Sequence, residues 1–262
     1  ADLTVVDKDL IIVCEEFKAL PSRGRSTTIH LEEDVESFTI IARKIEGTVV
    51  INKPGKRGAN GKNGASGRNG VNGSNGIDGR NGKNASTFHS AKDGKAGFPG
   101  APGEYGGRGI KGSPGQSGTD GGDFSFLAEK YGPNTTLEVN APGGDGGYGG
   151  GGGPGGVGGS GGKGGKGGKG GNGNWCHGPA KGGNGAHGGA GGRGGDGGDG
   201  GDGGDGGDGG NVVCKYIDPM NIPDITGTLA GGAPGNGGPG GRGASGGAGG
   251  APDARAAGDR QG

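Results

Sequence analysis

The sequence predicts a small all-β head domain joined to a bundle of about five antiparallel polyproline II helices. Two features of the composition lead to this fold class. Glycine accounts for 82 of the 262 residues, and only 26% of the residues are hydrophobic, which is too small an apolar share for one ordinary core at this length. Glycine recurs with a period of three over five long stretches, whereas residues 1–53 are rich in β-branched side chains. We therefore expect two kinds of structure in one chain.

The head domain is predicted from residues 1–53. Short runs of β-branched and aliphatic residues alternate there with polar segments, a pattern typical of β-strands. The expected strands cover residues 3–6, 10–13, 28–31, 38–41 and 48–51.

The rest of the chain, residues 54–262, contains five glycine arrays. In chain order, arrays 1 to 5 cover residues 55–82, 94–121, 143–173, 182–210 and 231–250 or beyond. A period of three matches the polyproline II helix, which has three residues per turn and no internal hydrogen bonds. Several such helices are expected to pack side by side and to hydrogen-bond to one another. The alternative is a disordered linker, which the nearly equal lengths of the arrays argue against.

The Gly-Gly-X triplets of arrays 3 and 4, joined by a tight turn, resemble the polyglycine II bundles of springtail antifreeze proteins and of some phage tail-tip adhesins. The Gly-X-X triplets of arrays 1 and 2 resemble collagen. The resemblance concerns architecture and carries no active residues, because the shared pattern is glycine itself. It implies ice binding and receptor binding as functions to consider.

The connectors between the arrays are of two kinds. Residues 83–93 and 174–181 are short and polar, whereas residues 122–142 and 211–230 carry apolar, strand-like pieces. If consecutive arrays run antiparallel, the polar connectors lie at the tip of the bundle. The apolar connectors then lie beside the head domain, where they extend its core.

The cysteines and the sequons indicate a secreted, extracellular protein. Three cysteines fit an oxidising compartment, and we expect a disulfide between Cys14 and Cys214, both at the head. Cys176 lies in a tip connector, roughly 85 Å away for an array of this length, so it is expected to be free or to pair between molecules. Glycosylation is possible at the sequons of Asn72, Asn84 and Asn134.

Charge and hydropathy predict neither a nucleic-acid partner nor membrane insertion. The chain carries 27 basic and 27 acidic residues, and no apolar run approaches the roughly 18 residues of a membrane helix. Two charge ladders nevertheless follow the arrays, and they either polarise the molecule or serve as a solvated surface. The ladders comprise Lys163, Lys166 and Lys169, and Asp199, Asp202, Asp205 and Asp208.

No arrangement of residues predicts catalysis. The four histidines, His30, His89, His177 and His187, lack Cys or acidic partners at metal-ligand spacing. Matches to G-x-G-x-x-G are an incidental result of the glycine content, because none follows a strand and opens a helix. We predict a protein that is not an enzyme and needs no cofactor or metal.

Three functions are left to weigh. The first is an extracellular structural protein, a stiff module or fibre subunit that self-associates head to tail into a filament or matrix. The second is an adhesin whose tip loops bind a cell-surface or glycan receptor. The third is ice binding, which needs a regular face of small uncharged residues, whereas the regular outward positions here are Lys and Asp. For the adhesin, the expected contacts are Phe88, His89, Trp175 and His177, which otherwise cap the ends of the arrays.

Overall fold

The computed structural model describes residues 2–6, 9–19, 27–31 and 35–253. Its regular secondary structure consists of eight β-strands, and these residues contain no helix. The chain divides into two compact units. Unit 1 comprises residues 1–62, 113–150 and 201–238, and unit 2 comprises residues 63–112, 151–200 and 239–262. The strands are β1 (Asp2–Val6), β2 (Asp9–Ala19), β3 (Thr27–His30), β4 (Ser37–Asn52), β5 (Asp123–Tyr131), β6 (Thr136–Asn140), β7 (Val212–Tyr216) and β8 (Asp224–Thr228).

The strands form one curled, largely parallel sheet in unit 1. Strand β4 is the longest, and its two halves pair with different neighbours. The first half lies in the order β1-β2-β4-β5-β7, and the second half pairs with β3 and with β6, which in turn pairs with β8. Only the pairing of β1 with β2 is antiparallel among the described strands. Two glycine arrays separate the two strands in four of the parallel pairs, and the chain therefore enters both strands in the same direction. These pairs are β4–β5, β4–β6, β5–β7 and β6–β8.

The core of unit 1 lies against one face of this sheet. Strand β5 alternates buried and less buried residues along its first half, as expected for a strand with one face on a core. Its Phe124 and Phe126 pair with Phe38 and Ile40 of β4, and all four side chains are fully buried. Tyr131 at the end of β5 is also buried, and its hydroxyl donates a hydrogen bond to the Phe126 carbonyl (3.1 Å).

The predicted fold class is wrong in both of its parts. Residues 1–53 do not form a head domain of their own, because strands β5 to β8 of the same sheet come from residues 123–228. A bundle of antiparallel polyproline II helices is not supported, because the described residues contain no helix and their regular structure is a sheet. A three-residue glycine period shows where side chains are absent, but it does not fix a helical secondary structure.

The glycine arrays are held together by backbone hydrogen bonds between segments. Gly156 in unit 2 shows the arrangement. Its N–H donates to the Gly107 carbonyl and its own carbonyl accepts from the Gly195 N–H, both at 2.8 Å. A Cβ at Gly156 would overlap the Arg68 carbonyl. Glycine is required at such positions because the neighbouring backbone occupies the space that a Cβ would need.

An internal repeat of 88 residues relates both the strands and the arrays. Strand β6 pairs with β8 at this spacing, for example Leu137 with Ile225. In unit 2, the Asn75 Oδ1 accepts a hydrogen bond from the backbone N–H of Lys163, 88 residues further on (2.9 Å). We call all contacts of this kind the Asx ladder. Its acceptors are Asn60, Asp120, Asp123 and Asp145 in unit 1, and Asn63, Asn69, Asn72, Asn75, Asp78, Asn81, Asn84 and Asp93 in unit 2.

The predicted disulfide between Cys14 and Cys214 is also wrong. Both residues are free thiols, as is Cys176. Cys14 lies on β2 and Cys214 on β7, with β4 and β5 between them. Each interstrand step is about 4.8 Å, whereas a disulfide needs Cα atoms within about 7 Å. The sequence places both cysteines near the sheet but does not show that two strands separate them.

Candidate functional site

Two tight turns of unit 2 form the most distinctive exposed site. In the first turn, Ser86 and His89 exchange two backbone hydrogen bonds (2.9 and 3.3 Å). In the second turn, Asn174 and His177 do the same (2.7 and 3.2 Å). Ser86 and Asn174 are 88 residues apart, so the two turns are equivalent positions of the repeat. We call them the turn pair.

Each turn carries a large aromatic side chain in solvent. Phe88 and Trp175 are each 88% exposed. Each turn has only two central residues, so these side chains project from it into solvent. An aromatic side chain held in water on a hydrogen-bonded turn is suited to contact with a partner.

The two turns contact each other through their polar side chains. The Ser90 Oγ lies 3.4 Å from the His177 Nδ1, which connects the first turn to the second. Within the first turn, the Ser86 Oγ lies 3.3 Å from the His89 Nδ1. The two imidazoles are thus engaged with hydroxyl groups, and the aromatic rings of Phe88 and Trp175 are left as the free surface.

The backbone below the turns is fixed on several sides. Asn174 stabilises its own turn, because its Oδ1 accepts hydrogen bonds from the N–H groups of Cys176 (3.0 Å) and His177 (2.8 Å). Asn84, just before the first turn, accepts from the Asn172 N–H (2.9 Å). The Lys92 N–H donates to the Lys83 carbonyl (2.9 Å). Both turns therefore stand on segments that are hydrogen-bonded to each other.

Basic side chains border the turn pair. Lys83, Lys92 and Lys169 are exposed, and hydrogen bonds connect the backbones of all three to the segments below the turns. The carboxylate of Asp93 accepts from the Lys181 N–H (2.8 Å) and so belongs to the Asx ladder. The segments that carry the turns therefore expose three lysine side chains.

The predicted contact residues Phe88, His89, Trp175 and His177 all lie in the turn pair, together with Cys176, which is exposed. Whether they contact a partner stays a prediction. The three sequons fall elsewhere. Asn72 and Asn84 act as acceptors in the Asx ladder, and Asn134 occupies a turn between β5 and β6 with a positive φ of 55°. Glycosylation of these residues also stays a prediction.

The residues of the two charge ladders contact different glycine arrays. The N–H groups of Lys163, Lys166 and Lys169 donate to side chains of array 1, and their own side chains are exposed. The carbonyl of Asp199 accepts from the Gly112 N–H of array 2, and its carboxylate pairs with Arg108 (2.9 Å) in unit 2. The remaining aspartates of that ladder, Asp202, Asp205 and Asp208, belong to unit 1.

A second surface is the groove on the outer face of the sheet in unit 1. It has a volume of about 510 Å³ and is lined by the apolar side chains of Val13, Ile41 and Leu127. Arg43 crosses it and pairs with Glu15 (3.1 Å) and Glu129 (3.4 Å). The hydrogen bonds to these two carboxylates raise the pKa of the Arg43 guanidinium. Since the guanidinium is already engaged by two carboxylates, this groove is the weaker candidate for a binding site.

Within the described ranges, the chain has neither a metal-binding cluster of side chains nor a helix able to cross a membrane. Residues 2–6, 9–19, 27–31 and 35–253 hold no group of three or more His, Cys, Asp or Glu side chains placed to bind a metal ion. The same part of the chain has no helix with the length and apolar character needed to cross a membrane.

Sequence reasoning missed the Asx ladder and the repeat that creates the turn pair. The signal was present, because arrays 1, 3 and 5 begin at residues 55, 143 and 231, and arrays 2 and 4 begin at residues 94 and 182. These starts are 88 residues apart in each series. A second signal for the Asx ladder was the repeated Asn directly before Gly in array 1. Asn-Gly pairs are also typical of loops, so this pattern alone suggests a loop.

Comparisons with known proteins identify no family. No protein-family model matches the chain, and no curated protein matches it. One solved structure found is described as "the nine polyproline type II helical bundle springtail antifreeze protein from Granisotoma rainieri". It is 21% identical, covers 70% of this chain and 93% of its own, and superposes with a TM-score of 0.09. So low a score carries no argument about the fold. The resemblance to springtail antifreeze proteins, to phage tail-tip adhesins and to collagen is not supported, because the described residues contain no helix and their regular structure is a sheet.

Proposed function

We propose that the protein is a non-catalytic binding protein that presents the turn pair to a receptor outside the cell. The observation that carries this proposal is the exposure of Phe88 and Trp175, 88% each, on equivalent turns held by reciprocal hydrogen bonds. Exposed aromatic residues on a fixed backbone lose little conformational entropy on binding, and such residues dominate binding hot spots.

The chemistry around the turn pair supports a glycan as the receptor. Aromatic rings stack on the apolar faces of sugar rings, and each of the two turns carries one such exposed ring. Lys83, Lys92 and Lys169 border them and favour acidic substituents on the sugar. We therefore propose an acidic cell-surface glycan as the ligand class.

A glycan-binding screen tests this function. The full chain is applied to immobilised neutral, sialylated and sulfated glycans, and binding is quantified by surface plasmon resonance. Trp175→Ala and Phe88→Ala are each expected to weaken binding at least tenfold, and neutral glycans are expected to bind more weakly than acidic ones. Neutral and acidic glycans bound equally, or no glycan bound, would refute the acidic-glycan assignment.

Phe98→Ala is the matched control. Phe98 lies in array 2 of the same unit and is 62% exposed, but it is outside the turn pair. Its N–H and carbonyl stay hydrogen-bonded to Ile77 and Gly165 in any variant with the same backbone. Equal losses in Phe98→Ala and Trp175→Ala would refute the turn pair as the binding surface.

A structural role is the second candidate function. We propose it in a limited form, as self-association into a filament or matrix, because β8 pairs only with β6 among the described strands and all five of its residues are exposed. An exposed strand edge is a template for pairing with another chain. Sedimentation over a concentration series tests this role, and a strict monomer at high concentration would refute it.

A further inference from the structure

A row of lysines lies on array 3, which continues along the chain into the second turn of the turn pair. Lys163, Lys166 and Lys169 are exposed, whereas the two glycines between each lysine and the next are buried. This stretch of array 3 therefore presents only lysine side chains to solvent. Three residues of backbone span at most about 10 Å, which limits the spacing of neighbouring lysine Cα atoms. We call these three residues the Lys ladder.

Hydrogen bonds to array 1 fix the backbone of the Lys ladder. The Lys166 N–H donates to the Asp78 Oδ1 (2.8 Å), and the Lys166 carbonyl accepts from the Gly79 N–H (2.7 Å). Lys163 and Lys169 make the same two bonds with the residues three positions before and after in array 1. Because the three lysines share one bonding pattern, their side chains leave the same side of array 3. Little backbone entropy is left to lose when a ligand binds there.

The positive charges of the Lys ladder are not neutralised by ion pairs. Within the described ranges, no carboxylate forms an ion pair with any of its three ammonium groups. Next to the ladder, Asn75 and Asn81 use their Oδ1 atoms to accept from the backbone. Their amide nitrogens are therefore left as hydrogen-bond donors on exposed residues. Cations and neutral donors side by side suit a ligand that carries both anionic groups and hydroxyl groups.

The segments that carry the turn pair have an excess of positive charge. Residues 78–95 and 163–181 of unit 2 contain eight Lys and Arg residues but only two Asp residues, although the whole chain is neutral. The two segments are in contact, because the Gly168 N–H donates to the Lys95 carbonyl (2.8 Å). A concentration of one sign of charge raises the association rate of a ligand of the opposite sign.

We infer that the Lys ladder and the turn pair together bind a linear acidic polysaccharide with one acidic group in every disaccharide. The inference rests on the proposed function, in which the turn pair holds an acidic glycan. Two pyranose rings span about the interval between neighbouring lysines, so successive acidic groups meet successive ammonium groups. A nucleic acid matches this interval less well, because each strand of a duplex carries one phosphate per about 3.4 Å of helix axis.

A length series of one polysaccharide tests the inference with the full chain. Hyaluronan is the probe, since it is linear and carries one carboxylate in every disaccharide. Its disaccharide, tetrasaccharide, hexasaccharide and octasaccharide are titrated against the protein. Trp175 is the only tryptophan of the chain, so its fluorescence reports binding at the turn pair. We expect the octasaccharide to bind about tenfold more tightly than the disaccharide, with a smaller ratio at high salt.

A pair of double variants decides whether the Lys ladder causes the length dependence. Lys163→Ala combined with Lys166→Ala is expected to weaken octasaccharide binding about tenfold and to change disaccharide binding less than about twofold. Lys62→Ala combined with Lys130→Ala is the matched control, because it removes the same charge from exposed lysines of unit 1. Equal losses in the two double variants would overturn the inference, since binding would then follow net charge alone.

Asp78→Asn tests the charge of the site in the opposite direction. The amide still offers an acceptor to the Lys166 N–H, but the negative charge beside the Lys ladder is gone. Octasaccharide binding is expected to strengthen about two- to threefold, and an unchanged or lower affinity would contradict the role of the ladder.

The outcomes separate this inference from the proposed function. A Trp175 response of equal affinity for every length would overturn the inference and leave the turn pair as the whole site. No response to hyaluronan of any length would also overturn the inference, and no response to any acidic glycan would refute the proposed function as well. A single-stranded oligonucleotide that binds more tightly than the octasaccharide would overturn it in favour of a nucleic acid.

Discussion

Gly156→Ala is the sharpest perturbation of the glycine arrays. The new Cβ would overlap the Arg68 carbonyl, so the backbone of one segment must move. Three hydrogen bonds depend on the present position, namely those from Gly156 to Gly107, from Gly195 to Gly156 and from Gly67 to Pro154, each 2.8 Å long. At about 0.5–1.5 kcal/mol of net stability per bond, their loss costs about 2–4 kcal/mol.

The unfolded chain offsets part of this loss. Alanine restricts the unfolded chain more than glycine does and stabilises a protein by about 0.4–1 kcal/mol wherever its Cβ fits. The net loss expected for Gly156→Ala is therefore about 1–3 kcal/mol, and the Tm falls by about 2–12 °C for a chain of this size. Differential scanning calorimetry measures both quantities.

Gly243→Ala is the matched control for this prediction. The added Cβ would lie 3.8 Å from the Gly195 carbonyl oxygen, which is ordinary contact, so the variant is expected to equal or exceed the stability of the parent chain. If both variants unfold at the same temperature, the reasoning from close backbone approach fails, because it requires the two positions to differ.

Three more predictions follow from single contacts. Asn75→Ala removes the acceptor of the Lys163 N–H and is expected to cost about 0.5–1.5 kcal/mol by denaturant unfolding, whereas Asn75→Asp keeps an acceptor and should cost less; equal losses would contradict the ladder. Burial raises the pKa of the Tyr131 hydroxyl above its usual value, so the unfolded chain loses this proton first as the pH rises. The free energy of unfolding should therefore fall above about pH 10, and less steeply in Tyr131→Phe; identical slopes in the two proteins would contradict this cause. Cys176 is exposed and free, so a thiol reagent should label it before the other two cysteines under native conditions, and slow labelling would contradict its placement.

The sequence located most strand-forming segments but not their arrangement. β-branched residues marked the pieces at 124–127 and 136–139, which lie in β5 and β6. Their pairing with β4 depends on two intervening arrays of fixed length, and nothing in the composition of a strand shows this. The predicted strands at 38–41 and 48–51 form the single strand β4, because Arg43, Lys44 and Glu46 between them read as a polar turn. Two of these charged side chains, Lys44 and Glu46, form an ion pair with each other, which permits them within a strand.

The sequence predicted which residues belong to the candidate site, but not that the two turns lie next to each other. The composition of the two short connectors indicated exposed aromatic residues, and the structure places Phe88 and Trp175 in solvent. Their neighbourhood follows from the 88-residue repeat, which composition alone does not reveal. The disulfide prediction failed for a related reason. Cys14 and Cys214 lie in the same sheet, but two strands separate them, and the sequence does not show the order of the strands.

The same repeat explains how a chain with so few apolar side chains can hold the turn pair in place. Each bonded glycine in the arrays fixes its neighbours through backbone groups, so the side chains between the glycines are not needed for packing and are exposed. The choice of side chain is least constrained in the turns, since Thr87, Phe88, Trp175 and Cys176 occupy central turn positions and are exposed. Substitutions there leave the hydrogen bonds of the arrays intact, whereas a substitution at Gly156 does not. A scaffold of this kind separates stability, which resides in the glycines, from the recognition that we propose for the turns. That separation favours a binding function.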